Sequence, residues 1–255
     1  MPVNSTHPDY DANAFDWLRA RDVLAGEDAV KSAGEKYLPR LDSQSDEEFL
    51  AYRKRASFFN ATARSAEGFI GLVFRRPPFV KVPESQSGVG RALATFLNDA
   101  DMLGTTLSGY AKNVVTEVVG IGRAGSLIDW EGDVEKRAYV SLYSAEQILN
   151  WRIERVNGRN VPTLIVLSED FAQDSKDEFE INFQQQIRVL KLVPGGRDDF
   201  HVVRIRLASK CQTPWKSFLT HALNQAPYGL TRHPFPYKFL IPSARGVLSP
   251  RKIPA

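Results

Sequence analysis

The chain has a single cysteine, no long apolar run and no recognisable export segment. Cys211 is the only thiol among 255 residues, which excludes an internal disulfide framework and suits a reducing compartment. Apolar runs such as residues 69–74 are far too short to cross a bilayer. No amino-terminal apolar segment follows basic residues, so no secretory signal is expected. These absences predict a cytoplasmic protein without a membrane partner.

Acidic residues are missing from the last part of the chain. All 30 Asp and Glu residues precede Phe200, alongside 24 Lys and Arg, which gives a net charge of −6. Residues 200–255 contain nine Lys and Arg and no acidic residue, a net charge of +9. A change this abrupt marks a boundary along the chain.

Motifs for common catalytic and metal sites are absent as well. The sequence has no GxSxG elbow and no HExxH helix. His201, Cys211, His221 and His233 lie about ten residues apart, without the close ligand pairs that structural zinc sites use. No activating motif surrounds Cys211. The sequence therefore predicts no catalytic residue, no metal ligand and no cofactor.

Helical spacing of apolar residues dominates the first half of the chain. A helix is expected at 12–25, with Gly26 as its stop, and a shorter helical turn at 29–37. Two more amphipathic helices are expected at 92–103 and 106–119. The last of these is expected to bury Leu107, Ala111, Val114, Val115 and Val118.

Between these helices, residues 34–78 predict a short lead-in, one long amphipathic helix that begins at Ser45, and a double-proline stop. Ser45 and Glu48 have the spacing of a capping box, in which each side chain bonds the backbone amide of the other. Pro77 and Pro78 provide the stop, because neither has an amide hydrogen. The expected apolar stripe consists of Phe49, Tyr52, Ala56, Phe59, Ala63, Ala66, Ile70 and Val73.

Alternating patterns after Gly125 predict strands. The expected strands are 126–130, 138–143, 151–156, 161–167, 187–193 and 200–207. Asn157-Gly158 is a strong hairpin signal, a second turn is expected at 194–197, and 170–178 reads as a polar connector. The fold class is therefore α+β, with amino-terminal helices followed by antiparallel strands and hairpins. Three parts of the chain are expected: a mainly helical part at 1–124, an antiparallel β part at 125–207, and a poorly ordered, basic, Pro-rich tail at 208–255.

Gly120 to Gly125 match the GxGxxG pattern of dinucleotide-binding loops. That mechanism needs a strand before the glycines and a helix after them, so that helix amides meet the pyrophosphate. Here a helical pattern precedes them and a strand pattern follows. The preferred interpretation is a helix-to-strand turn, and a nucleotide-binding enzyme is kept as an alternative function.

Basic and aromatic side chains give two further candidate features. Phosphate contact is conceivable at 53–55 (Arg-Lys-Arg) and at 75–76 (Arg-Arg), although a solvated helix face and a helix end explain them as well. The aromatic residues Tyr139, Tyr143 and Trp151 alternate with polar ones, as on half-buried strands, which favours a core or subunit-interface role.

Several segments together resemble a family of tailed-phage portal-like proteins, related to the portals of long-tailed phages. They are HPDYDANAFDWLRARDVLAGEDAVKSAGEKYLPRL, YRKRASFFNATARSAEGFIGLVFRRPP, GIGRAGSLIDWEG and YVSLYSAEQILNWRIERVNGRNVPTLIVL. They cover roughly the first two thirds of the chain.

The resemblance implies a structural protein without an active site, and a fold similar to the portal wing. Portals form rings, commonly of twelve copies, at one capsid vertex. Double-stranded DNA passes through the ring without sequence specificity, pumped by a separate terminase, and head-tail connector proteins dock later. The expected location is the virion, with assembly in the cytoplasm of a bacterial host.

The basic tail keeps other interpretations open. Members of the family are longer, so the chain is expected to be an amino-terminal portion whose end reflects truncation, with or without a reading-frame change near residues 200–210. A Pro-rich connector is another interpretation of the tail. Alternatively, residues 200–255 form a basic arm of a small nucleic-acid-binding protein.

Overall fold

The computed structural model describes residues 2–80, 87–132, 134–156, 158–173, 179–192, 200–206 and 239–240. Helices come first and antiparallel strands in two small sheets follow, so the predicted α+β class is confirmed. The described residues group into two compact units. The sheet unit draws on Met1–Asn13 and Gly125–Ile241, and the helical unit on Ala14–Ala124.

The described part of the chain contains helices at the places where the apolar spacing predicted most of them. They are α1 (Pro8–Ala25), α2 (Glu27–Ser32), α3 (Asp46–Arg55), α4 (Ala61–Val73), α5 (Ser87–Asn98) and α6 (Leu107–Ile121). The predicted stop at Gly26 is confirmed, because this residue directly follows α1 with φ 102°. Thr106 caps α6 by accepting the Gly109 amide.

The prediction of one long helix from the cap at Ser45 to the stop at Pro77 is wrong. The capping box at Ser45 and Glu48 is present, but it opens α3, which ends at Arg55. Ala56 has extended geometry with ψ 133°, and α4 begins only after Asn60. The predicted double-proline stop is not what ends α4, because that helix already stops at Val73.

Asn60 gives the physical reason for the break. Its side-chain oxygen accepts the amide of Ala63 at 2.9 Å, and its side-chain nitrogen donates to the carbonyl of Val23 at 2.8 Å. One residue therefore caps a new helix and ties that helix to α1. Residues 57–60 (Ser-Phe-Phe-Asn) are also poorer helix formers than their neighbours.

Polar contacts and a limited core hold the helical unit together. Arg21 on α1 makes a two-pronged ion pair with Glu117 on α6, with N–O distances of 3.0 and 2.6 Å. Helices α4 and α6 contact each other. The five positions predicted as buried on α6 are half-buried, while Tyr110 of the same helix is fully buried.

The strands of the sheet unit form two sheets. They are β1 (Ala124–Glu131), β2 (Arg137–Ser144), β3 (Ile148–Val156), β4 (Arg159–Gln173), β5 (Asn182–Leu192), β6 (Phe200–Arg206) and β7 (Phe239–Leu240). The orders are β2-β1-β7 and β3-β4-β5-β6. Strand β1 pairs antiparallel with β7, and the second sheet is an antiparallel meander.

One strand prediction needs correction. Residues 170–173 were expected in a polar connector, but they extend β4, where Asp170 to Gln173 pair with β5 in continuous register. Backbone pairing with β5 overrides their low strand propensity. Residues 174–178, Asn157, the expected turn at 194–197 and most of the tail lie outside the described residues.

The two sheets share an apolar core. Its buried side chains come from both sheets and are Leu127, Tyr143, Ile148, Ile165, Leu167 and Leu190. Alternate residues of β4 and β5 point to the other face, where Val166, Ile187 and Val189 pack with Val3. Val3 of the amino-terminal segment thus packs on the second face of the four-stranded sheet. His7 stacks on Trp151, which packs against the first core, with ring centroids 4.0 Å apart.

Candidate assembly interface

The helical unit exposes more large apolar side chains than its core contains. Among its described residues, thirteen such side chains are exposed, whereas six apolar residues are buried. In the described part of the sheet unit the balance is reversed, with eleven buried and five exposed. A folded chain rarely leaves large apolar surface in water unless the surface binds something, so the helical unit is the candidate interface.

Helix α4 carries the clearest exposed face with large apolar side chains. One side of the helix, formed by Ala63, Ala66 and Ile70, is half-buried. The rest of the circumference carries only two charged residues, Arg64 and Glu67. At 100° per residue, a single exposed face comprises Ala61, Thr62, Ser65, Gly68, Phe69, Leu72 and Val73. Phe69, Leu72 and Val73 are 60%, 67% and 57% exposed.

The glycines at 120–125 turn a helix into a strand, as preferred from the sequence. Helix α6 ends at Ile121, Gly122 closes it in the left-handed conformation, and β1 starts at Ala124. A Cβ on Gly120 would lie 2.9 Å from Leu24 Cδ1. Close packing and a positive φ of 93° therefore account for two of these glycines.

Gly122→Ala is expected to destabilise the protein by about 1 kcal/mol, because alanine is strained at positive φ. Chemical denaturation measures this cost. Gly90→Ala is a suitable control, because a Cβ there meets no atom within 4 Å and φ is not positive. If Gly122→Ala is as stable as Gly90→Ala, the left-handed cap is not important for stability.

Metal-ligating residues do not converge in the described part of the chain. No group of three or more His, Cys, Asp or Glu side chains there has the arrangement of a metal site. The side chains of His201, Cys211, His221 and His233 lie outside the described residues. No described helix is long and apolar enough to span a membrane.

The first basic cluster borders a small open cavity. The cavity has a volume of about 350 Å³ and is lined by Asp28, Lys31, Ser32, Arg53 and Lys54. Lys31 is held by Glu27 at 2.6 Å and by the carbonyl of Lys54 at 3.1 Å. Because Asp28 and Glu27 offset part of the positive charge, the cavity is a poor candidate for strong phosphate binding. Arg75 and Arg76 are exposed.

A buried charge cluster lies in the sheet unit, and sequence reasoning missed it. Arg188 on β5 contacts Asp129 on β1 at 2.9 Å and Glu169 on β4 at 2.8 Å. The contact with Glu169 is made by Nε of Arg188 and is an ion pair. This nitrogen makes no hydrogen bond with a described residue. Tyr143 donates a hydrogen bond to Glu169, and Gln186 donates to its other oxygen at 2.7 Å.

The cluster joins the two sheets through charge, beside the apolar core that they share. Asp129 and Tyr143 belong to the three-stranded sheet, whereas Glu169 and Arg188 belong to the four-stranded sheet. Burial raises the pKa of Tyr143 well above its ordinary range, and the Glu169 carboxylate adds to this. Burial opposes the charge of Arg188, but the surrounding acidic groups outweigh it and raise the pKa of Arg188.

The geometry of this cluster favours a structural role. Its carboxylates are occupied by a guanidinium, a phenol and an amide, and Asp129 also accepts the backbone amide of Trp130 at 2.8 Å. A sequence signal existed, since Asp129, Glu169 and Arg188 each lie two residues from a buried leucine of the same strand, on the face that the alternation assigns to the core. Two of the aromatic residues predicted to have a core or interface role belong to this region: Tyr143 is buried in the core, and Trp151 packs against it.

No family model and no curated protein matches the chain.

Proposed function

We propose that this protein is a structural, portal-like subunit that assembles with copies of itself into a ring. In this proposal the ring belongs to the capsid vertex of a tailed phage, where double-stranded DNA passes through it. A separate terminase drives the DNA, and capsid and connector proteins bind the ring. The chain itself supplies interfaces and performs no catalytic step. The exposed apolar surface of the helical unit is the observation that carries the proposal.

Physical chemistry connects this surface to assembly. Large apolar side chains that stay in water gain roughly 25 cal/mol for each Å² that a partner covers. Phe79 and Leu103 are 88% and 86% exposed and lie outside α4. A closed ring needs two different complementary surfaces on each subunit. Exposed apolar side chains distributed over several elements are what such a subunit requires.

Negative-stain electron microscopy combined with native mass spectrometry tests the proposal. We expect closed rings, and twelve copies of 28.6 kDa weigh about 343 kDa. Replacing Phe79 and Leu103 by serine is expected to shift the population toward single chains, because the apolar contact area falls. The matched control is Lys112→Ser, an exposed polar position on α6.

Two results contradict the proposal. One is a monomeric chain at every protein and salt concentration tested, with a folded circular dichroism spectrum. The other is open filaments or irregular aggregates in place of closed rings.

A further inference from the structure

The exposed face of α4 is graded in size along the helix. Its first two turns present the smaller side chains, Ala61, Thr62 and Ser65, whereas its last two turns present Phe69, Leu72 and Val73. Gly68 lies between these groups, and nothing lies within 4 Å of the position a Cβ would take there. The face contains no charged residue, so a partner helix can approach closely without desolvating a charge.

This gradient is complementary to itself when the second helix runs in the opposite direction. An antiparallel pair centred near residue 67 sets Leu72 against Thr62 of the second copy, and Phe69 against Ser65. Val73 then faces Ala61. Each larger side chain meets a smaller one, as interdigitated packing requires. A parallel pair sets large against large and small against small, which leaves both clashes and gaps.

The two hydroxyl groups on this face do not oppose the pairing. A helical serine or threonine can donate its hydroxyl hydrogen to a backbone carbonyl three or four residues earlier in the chain. Ser65 can therefore keep a hydrogen-bond partner when a second helix covers it, whereas Thr62, in the first turn, can turn its hydroxyl toward water. The methyl group of Thr62 then provides an apolar contact for Leu72 of the second copy.

The exposed apolar area on and beside α4 can be compared with the area that a stable pair buries. Using about 200 Å² for a phenylalanine and about 100 Å² for an aliphatic side chain, the three large residues expose about 250 Å² per copy. Phe59 precedes the first residue of α4 by two positions and is 72% exposed. With it the area reaches about 400 Å² per copy, about half of the roughly 800 Å² that each partner contributes in a typical stable interface, so the pair is expected to be weak and concentration-dependent.

We propose that two copies of this chain pair through the exposed face of α4, antiparallel, about a two-fold axis near residue 67. The contact is isologous, with the same surface used on both copies, whereas a ring uses head-to-tail contacts. The two contacts are therefore separate. A chain that makes both assembles in even numbers, and a chain that makes only this one forms dimers.

A size swap tests the pairing directly. Leu72→Thr is expected to weaken the pair roughly tenfold or more, because each dimer loses two central apolar contacts. Thr62→Leu is expected to weaken it as well, by placing leucine against leucine. The double variant Thr62→Leu/Leu72→Thr exchanges the two side chains, restores both large-to-small contacts and is expected to recover most of the affinity. Sedimentation of the full chain over a concentration series measures all three.

Glu67→Ala is the matched control, because Glu67 lies on α4 outside the exposed face. Its expected dissociation constant equals that of the unchanged protein. Circular dichroism confirms that each variant is folded, which is expected because positions 62 and 72 are exposed. A double variant no tighter than Leu72→Thr overturns the antiparallel pairing.

The results of these experiments distinguish the α4 pair from the proposed ring. Dimers that respond to the size swap, without closed rings, support the pair and contradict the proposed function. Closed twelve-copy rings that no α4 variant changes, with no pairing of rings and no dimer at low concentration, support the ring and contradict the pair. A chain that remains single at all concentrations overturns both.

Discussion

Arg188→Met is expected to destabilise the sheet unit by about 3–5 kcal/mol, the largest effect of any single substitution considered for this protein. Methionine preserves most of the side-chain volume, so the loss comes from charge and not from a cavity. Without the guanidinium, the buried carboxylate of Asp129 and the half-buried carboxylate of Glu169 remain with no cation between them. Chemical denaturation followed by near-ultraviolet circular dichroism measures the change.

Two comparisons isolate this cause. Arg152→Met removes an exposed arginine from β3 and is expected to change stability by no more than about 0.5 kcal/mol. Adding Asp129→Asn and Glu169→Gln to Arg188→Met removes the stranded charges and is expected to recover part of the loss. If Arg188→Met behaves like Arg152→Met, the buried cluster does not hold the sheets together.

The pH dependence of the same cluster follows from Tyr143. Its pKa is raised in the folded state, so its contribution is complete below the ordinary tyrosine pKa of about 10. Above that pH the unfolded chain ionises first, and the contribution declines as the pH rises. Tyr143→Phe should therefore reduce the stability difference between pH 9 and pH 11.

Leu127→Ala is expected to destabilise the sheet unit by about 2–5 kcal/mol. Leu127 is fully buried on β1 and packs with Ile165, Leu167 and Leu190 of the other sheet. Alanine removes this apolar contact and leaves a cavity that rigid neighbouring strands fill only in part. Ile165→Ala, which removes a side chain from the opposite side of the same core, should have an effect of similar size.

Ile153→Ala on β3 is the control for the core. Its side chain is 57% exposed, so its removal is expected to change stability by less than about 1 kcal/mol. Equal effects of Leu127→Ala and Ile153→Ala would show that the two sheets are not joined by a common core.

Sequence patterns predicted the local parts of the fold well, because their causes are local. The capping box at Ser45 and Glu48 needs only residues three apart, and the stop at Gly26 needs only one glycine after a helix. Both are present as expected. Strand positions after Gly125 followed from alternation for the same reason.

The break between α3 and α4 could not be predicted from local spacing. The apolar stripe continues from Phe49 to Val73 as though one helix carried it. What separates the two helices is the bond from Asn60 to the carbonyl of Val23, a residue 37 positions earlier. This contact between distant residues acts together with the cap that Asn60 provides for α4, and apolar periodicity contains no information about either.

The sequence could not predict the exposed apolar surface of the helical unit either, because exposure also depends on contacts between distant residues. Periodicity placed Val73 on one apolar stripe with the half-buried residues of α4, but Val73 is exposed. It lies with Phe69 and Leu72, which were not assigned to the stripe, on a second face. Only coordinates show which apolar residues find partners within the chain. The buried cluster of Asp129, Glu169 and Arg188 likewise joins strands that are far apart in sequence.

The mass of the full chain in solution, measured by sedimentation equilibrium over a wide concentration range, tests the central claim most directly. If the exposed apolar surface of the helical unit serves self-association, the mass rises above 28.6 kDa as concentration increases. It should fall back when Phe79 and Leu103 are replaced by serine. A mass that stays at one copy throughout, for a folded protein, would contradict the account.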